Sequence, residues 1–165
     1  MPASEGPASE GSTSEGSASE GSASDLIVVG VDGSDPSKEA LRWAVRQAHA
    51  TQAPLRAVMC WHELNPDAWL PHVPERSDYA TLIAEELRHA VKGAVGDNPP
   101  VAIEQVVMKG QSAPTLLQAA KEAGLLVVGS RGRGGFTGLL LGSVSAYLAS
   151  HTPCPLVIVP HKARS

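Results

Sequence analysis

Hydrophobic residues fall along the chain in two alternating patterns. Leu26 to Val31 (LIVVGV) is an almost unbroken apolar run, as expected of a strand covered on both faces. Beyond it, Leu41, Ala44, Val45 and Ala48 recur at i, i+3, i+4 and i+7, one face of a helix, with Arg42 and Arg46 on another. Asp35 is the expected N-cap and Pro36 fits the first turn. Leu55 to Trp61 predicts a second strand, and Ser77 to about Val95 a second helix with Leu82, Ile83, Leu87 and Val91 inward. Val101 to Met108 predicts a third strand. Ser112 to Ala123 predicts a helix with Leu116, Leu117 and Ala120 inward. Leu125 to Val128 is a short buried strand, Ser143 to Ser150 a helix and Leu156 to Val159 a last strand. Residues 62–76, with three prolines and Trp69, read as an irregular excursion.

Strands that alternate with helices imply right-handed crossovers, hence an α/β doubly wound parallel sheet with helices on both faces. Ligands of such sheets lie beyond the strand C-termini, where the strand order reverses. The loops beginning at Asp32, Trp61, Lys109 and Gly129 are therefore the ones to watch.

Residues 2–24 break the pattern. They repeat small residues, serine, glutamate and glycine, with no Val, Ile, Leu, Phe, Trp or Tyr. Ordering them would cost about 1–2 kcal/mol of backbone entropy per residue with no apolar surface to bury. Residues 1–25 are thus expected to be a disordered acidic tail, and residues 26–160 one domain. Four of the 17 acidic residues (Glu5, Glu10, Glu15, Glu20) lie in the tail, and the other 13 balance the 13 Lys and Arg. A formally neutral domain lacks the clustered basic charge that nucleic-acid binding requires. Two cysteines and six scattered histidines make neither a disulfide framework nor a metal-ligand spacing. No signal-peptide pattern and no apolar run near 20 residues is present, so the expectation is a cytoplasmic protein without a membrane span.

One segment carries chemistry. Gly129 to Ser145 (GSRGRGGFTGLLLGSVS) combines glycines, which let a ligand approach the backbone, with a predicted helix start at Gly142 and Ser143. Amides at a helix N-terminus favour phosphate, and the hydroxyls of Ser143 and Ser145 are candidate donors to it. Arg131 and Arg133 read equally as compensating cations and as solvated surface charges. Gly134, Gly135 and Gly138 read as loop flexibility. A Walker A loop needs Gly-Lys-Ser/Thr, and no Gly-Lys pair occurs. A dinucleotide fingerprint starting at Gly132 would place Thr137 where its last glycine belongs.

What fits is Gly-x2-Gly-x9-Gly-Ser, with Gly129, Gly132, Gly142 and Ser143 in register. With Ile27-Val-Val-Gly-Val-Asp32-Gly-Ser at the first strand and Pro153-Cys-Pro-Leu-Val-Ile-Val159 at the end, residues 26–160 resemble the universal stress proteins, specifically their ATP-binding branch. The resemblance implies a five-stranded sheet in the order 3-2-1-4-5, with ATP between strands one and four. It implies that Asp32, with Val31 beside it, meets the adenosine, that the backbone at Cys60 meets adenine, and that Gly110 lines the base pocket. Val128, Gly129 and Gly132 would lie near ribose and phosphate, and Gly142, Ser143, Val144 and Ser145 would clamp the phosphates; Arg131 joins the cofactor-binding candidates on its charge alone. A divalent Mg or Mn would be held through the phosphates, and a homodimer would form through Leu156 to Val159.

The function expected is nucleotide sensing without catalysis. Slow ATP hydrolysis or autophosphorylation at Ser143 or Ser145 is the enzymatic alternative, and an interaction module without nucleotide is the third. Trp61 and Trp69 could cover a nucleotide or pack the excursion. Cys60 and Cys154 read as small buried hydrophobes.

Overall fold

In a computed structural model the described residues are 24–62, 76–134 and 140–161, with the side chains of 76–78 excepted. The expected tail, apart from its last two residues, lies outside them, as do most of the 62–76 excursion with Trp69, and Gly135 and Gly138. Strands and helices alternate along the chain: β1 (Ile27–Gly30), α1 (Asp35–Thr51), β2 (Leu55–Trp61), α2 (Arg76–Val95), β3 (Ile103–Lys109), α3 (Ser112–Ala120), β4 (Leu125–Gly129), α4 (Ser143–His151) and β5 (Leu156–Val159). The five strands form one parallel sheet in the order β3-β2-β1-β4-β5. Fold class and strand order are those expected.

Strand alternation divides the core between the two faces of the sheet. Ile27, Val29, Ala57, Met59 and Val127 pack with the apolar faces of α1 and α2. Val28, Val58, Leu126 and Val128 pack on the other face with Leu116 and Ala119 of α3 and Leu148 of α4. Both faces of β1 and β4 are covered, which is why these strands are continuously apolar. On α1 the predicted stripe is buried in full, and it extends to Ala40 and Ser37.

Several boundaries differ from expectation, each for a local reason. The N-cap of α1 is Ser34, whose side chain accepts from the Ser37 N–H, so Asp35 is the first helical residue. Leu82 is 53% exposed. It stands five residues before the buried Leu87, roughly 140° away around the helix, and so lies off the stripe made by Ile83, Leu87, Ala90 and Val91. Leu117 is half-buried beside the buried Leu116 and Ala120. The α3 hydrogen bonds tighten to i−3 at Lys121, Glu122 and Ala123, which closes the helix before Ala123. β3 starts at Ile103 rather than Val101, following Pro99-Pro100.

Candidate functional site at the C-terminal ends of β1, β2 and β4

β1 is the strand from which the chain winds to β2 and β3 on one side, while β4 and β5 occupy the other. The loops leaving β1 and β4 therefore part and open a crevice. β1 also stops short of its neighbour. Gly30 pairs with Val58 and the Val31 N–H reaches the Val58 carbonyl at 2.9 Å, but Met59 to Trp61 continue alongside β3 alone. Main-chain groups alternate sides along a strand. The N–H and C=O of Cys60 thus point as those of Val58 do, into the space that β1 has left.

The crevice holds a cavity of about 700 Å³, within the range of small-molecule sites. Eleven of the twelve residues expected from sequence line it. The β1 exit supplies Val31 and Asp32, and the β2 end supplies Cys60. Val128, Gly129, Arg131 and Gly132 come from the end of β4, and Gly142, Ser143, Val144 and Ser145 from the start of α4. Gly110 stands apart. Its N–H donates to the Trp61 carbonyl, and it lines a separate hollow with Gln111 and Thr115, so the structure does not bring it to the cavity.

Asp32 is held at both carboxylate oxygens. Its Oδ1 accepts from the N–H of Ser34 at 2.9 Å and from the Ser34 hydroxyl, and its Oδ2 accepts from the N–H of Arg133 at 3.2 Å. Ser34 in turn caps α1, and the Ser37 hydroxyl donates to the Ser34 carbonyl while accepting from the Asp32 N–H. One carboxylate thereby ties the β1 exit to the β4 exit. The close approach requires glycine at 132, because a Cβ there would stand 2.7 Å from Asp32 Oδ2.

The β4 exit and the start of α4 are joined through Ser130. Its carbonyl accepts from the Gly142 N–H at 2.7 Å and the Ser145 hydroxyl at 2.9 Å, and its own N–H donates to Val159 of β5. Ser145 is only 2% exposed, and its other acceptor is the Gly142 carbonyl at 3.0 Å. In this structure its one proton is shared between those two backbone carbonyls, which ties the start of α4 to the β4 exit. Ser143 is exposed. The two helix starts at the crevice also differ. Ser34 caps α1, whereas Gly142 provides α4 with no side-chain cap, which leaves first-turn amides for another acceptor.

The two arginines part company. The Arg133 guanidinium pairs with Glu86 of α2. The buried Nε of Arg131 has no hydrogen-bond partner among the described residues. At the other end the lining is apolar, with Val58, Cys60, Leu116 and Val128. Burial pushes the Cys60 thiol up to about 11, so it is uncharged at neutral pH. Trp61 stacks on Tyr79, with ring centroids 6.1 Å apart, and does not line the cavity.

Ser37, Val58 and Leu116 are lining residues not singled out from sequence. Ser37 did carry a signal: it is a polar residue at the head of the stripe Leu41, Ala44, Ala48, four residues before Leu41. Val58 and Leu116 carried none, since apolar positions on a strand and on a helix read as core wherever they point.

The sequence profile described as the Universal stress protein family matches residues 24–160. A universal stress protein of Mycobacterium tuberculosis strain H37Rv is 35% identical over 142 residues, 81% of this chain and 46% of the relative. This chain thus spans about half the length of that curated relative. Among solved structures, a universal stress protein in complex with cAMP is 31% identical with a TM-score of 0.61, covering 84% of this chain and 98% of the other. The universal stress protein UspA from Lactobacillus plantarum is 25% identical with a TM-score of 0.61, covering 81% and 96%. With the family profile spanning nearly all of the described residues, the chain belongs to the universal stress protein family.

Proposed function

We propose that the cavity binds an adenine nucleotide, ATP included, and that the protein is a non-catalytic, nucleotide-responsive regulator of a cytoplasmic stress response. The observation that carries this reading is the convergence of Asp32, Cys60, Gly129, Arg131, Gly132 and Gly142 to Ser145 on one cavity. Its two ends differ as the two ends of a nucleotide do. The apolar end sets the Cys60 main chain, unpaired with β1, beside Val58, Leu116 and Val128, suited to a base. The polar end presents the uncapped start of α4 and the unpartnered Nε of Arg131, suited to phosphate. The cAMP complex of a 31% identical relative supports the same ligand class.

Among the described residues no three His, Cys, Asp or Glu side chains meet as a metal cluster. In this proposal an Mg or Mn ion is held through the ligand phosphates. Asp32 is bound on both oxygens by N–H and O–H donors, which suits an ordered acceptor better than a general base. Ser145, buried and bonded to carbonyls, is a poor phosphate acceptor group. A homodimer through Leu156 to Val159 has a physical motive, since β5 is a sheet edge with four half-buried apolar residues. No described helix is long and apolar enough to cross a membrane.

The test is a thermal-shift titration with ATP and magnesium beside a steady-state phosphate-release assay. The proposal expects a saturable rise in melting temperature without sustained turnover. Rapid steady hydrolysis would replace it with an enzymatic function, and no shift with any adenine nucleotide would refute it.

A further inference from the structure

We infer that Glu86 is a specificity-determining residue of this site, which by pairing with Arg133 lowers the preference for polyphosphate ligands relative to a ligand with one phosphate. The inference rests on the reading of the cavity as an adenine-nucleotide site and concerns which nucleotide it favours.

The charges facing the cavity are few. Among the described lining residues only Asp32, Arg131 and Arg133 carry a carboxylate or guanidinium group. Arg133 is engaged twice: its N–H donates to Asp32 Oδ2, and its guanidinium pairs with Glu86. The same guanidinium lies over the β1 exit, where a Cβ on Gly33 would stand 2.5 Å from its Nη2. The Arg133 charge is thus drawn across the mouth of the crevice towards α2 and cancelled there. Glu86 is not a fully solvated charge. It is 35% exposed and sits one position before the fully buried Leu87, which fixes it on the flank of α2 beside the crevice.

With Glu86 counted, the site sums to zero: Asp32 against Arg131, and Arg133 against Glu86. Arg131 is left as the cation with an unpartnered donor. Such a site matches a ligand that brings one anionic group. Each additional phosphate of ADP or ATP adds negative charge with no described cation left to meet it, and Glu86 itself repels it. Removing the Glu86 charge leaves Arg133, already at the cavity wall, able to turn to a second phosphate. Because the pair is partly exposed, the effect is modest and screened by salt: about two- to fivefold in affinity.

The experiment measures dissociation constants of AMP, cAMP and ATP, without divalent ions, for the full chain, Glu86→Gln and the double variant Glu86→Gln/Arg133→Gln. Low and high salt are compared. The wild type is expected to bind ATP no more tightly than AMP. Glu86→Gln should raise ATP affinity relative to AMP about two- to fivefold at low salt and less at high salt. The double variant should return to the wild-type ratio. An unchanged ratio in Glu86→Gln, a gain that survives loss of Arg133, or a wild type preferring ATP about tenfold would overturn the inference while leaving nucleotide binding intact. A wild type that binds none of the three overturns the underlying reading, and this inference with it.

Discussion

Replacing Gly132 by alanine separates the cavity's binding geometry from its scaffold. The new Cβ would stand 2.7 Å from Asp32 Oδ2, about 0.8 Å inside the ordinary van der Waals separation of ~3.5 Å. The atom in the way is the end of a side chain, so the carboxylate can swing aside. In doing so it loses the Arg133 N–H, a bond of 3.2 Å to a charged acceptor. Such bonds contribute about 1.5–3 kcal/mol, and the length and partial exposure of this one put it at or below the lower end. Stability should therefore fall by about 1 kcal/mol, a few degrees in melting temperature. Binding should suffer more. Asp32 would leave its place at the proposed ligand, and the β4 exit would lose its tie to β1, together about 1.5–3 kcal/mol or roughly 10- to 150-fold in Kd. Calorimetric titration with an adenine nucleotide and thermal unfolding of the same samples measure the two quantities. A Kd within threefold of wild type would refute the role given to Asp32. A fall in melting temperature beyond about 10 °C would show that Gly132 serves the scaffold instead.

Gly129→Ala should behave in the opposite way. Its Cβ would meet the Pro36 backbone carbon and oxygen at 2.7 and 2.8 Å, atoms that cannot rotate away, so thermal unfolding should show about 1–3 kcal/mol of destabilisation. Ser145→Ala removes a buried hydroxyl while the Ser130 carbonyl keeps the Gly142 N–H; about 1 kcal/mol should be lost, and amide exchange at the start of α4 should quicken. Cys60 should alkylate slowly at neutral pH, its rate rising with pH towards about 11, and bound nucleotide should protect it. Because burial makes the folded thiol hold its proton above the ordinary value of 9.0, the unfolded chain binds fewer protons between 9.0 and about 11. Stability should fall with rising pH across that window, and a Cys60→Ala variant should lack this component. A fast reaction of Cys60 at pH 7 would contradict its burial.

The fold was legible because its two periods are clean. The double coverage of β1 and β4 shows in unbroken apolar runs, and the α1 stripe recurs without a polar interruption after Ser37. Errors cluster where sequence periodicity has no leverage. The shift of the N-cap from Asp35 to Ser34 turns on which of two adjacent capping residues reaches the Ser37 N–H. Leu82 was misplaced because one apolar residue beside a stripe resembles a member of it. Most of the site was legible too, since Gly129, Gly132, Gly142 and Ser143 share one local spacing. The pairing of Arg133 with Glu86 was not, because it joins positions 47 residues apart. Nor was the hydrogen bond from the Ser145 hydroxyl to the Ser130 carbonyl, which depends on where that carbonyl points.

The central claim is tested most directly by titrating the wild type and Gly132→Glu with ATP and magnesium in a calorimeter. Saturable binding of one nucleotide per chain is predicted for the wild type. It should be lost in Gly132→Glu, whose added carboxylate would stand against Asp32 and repel phosphate. A wild type that gives neither heat nor a thermal shift, or a Gly132→Glu variant that binds as the wild type does, would contradict the assignment of this cavity.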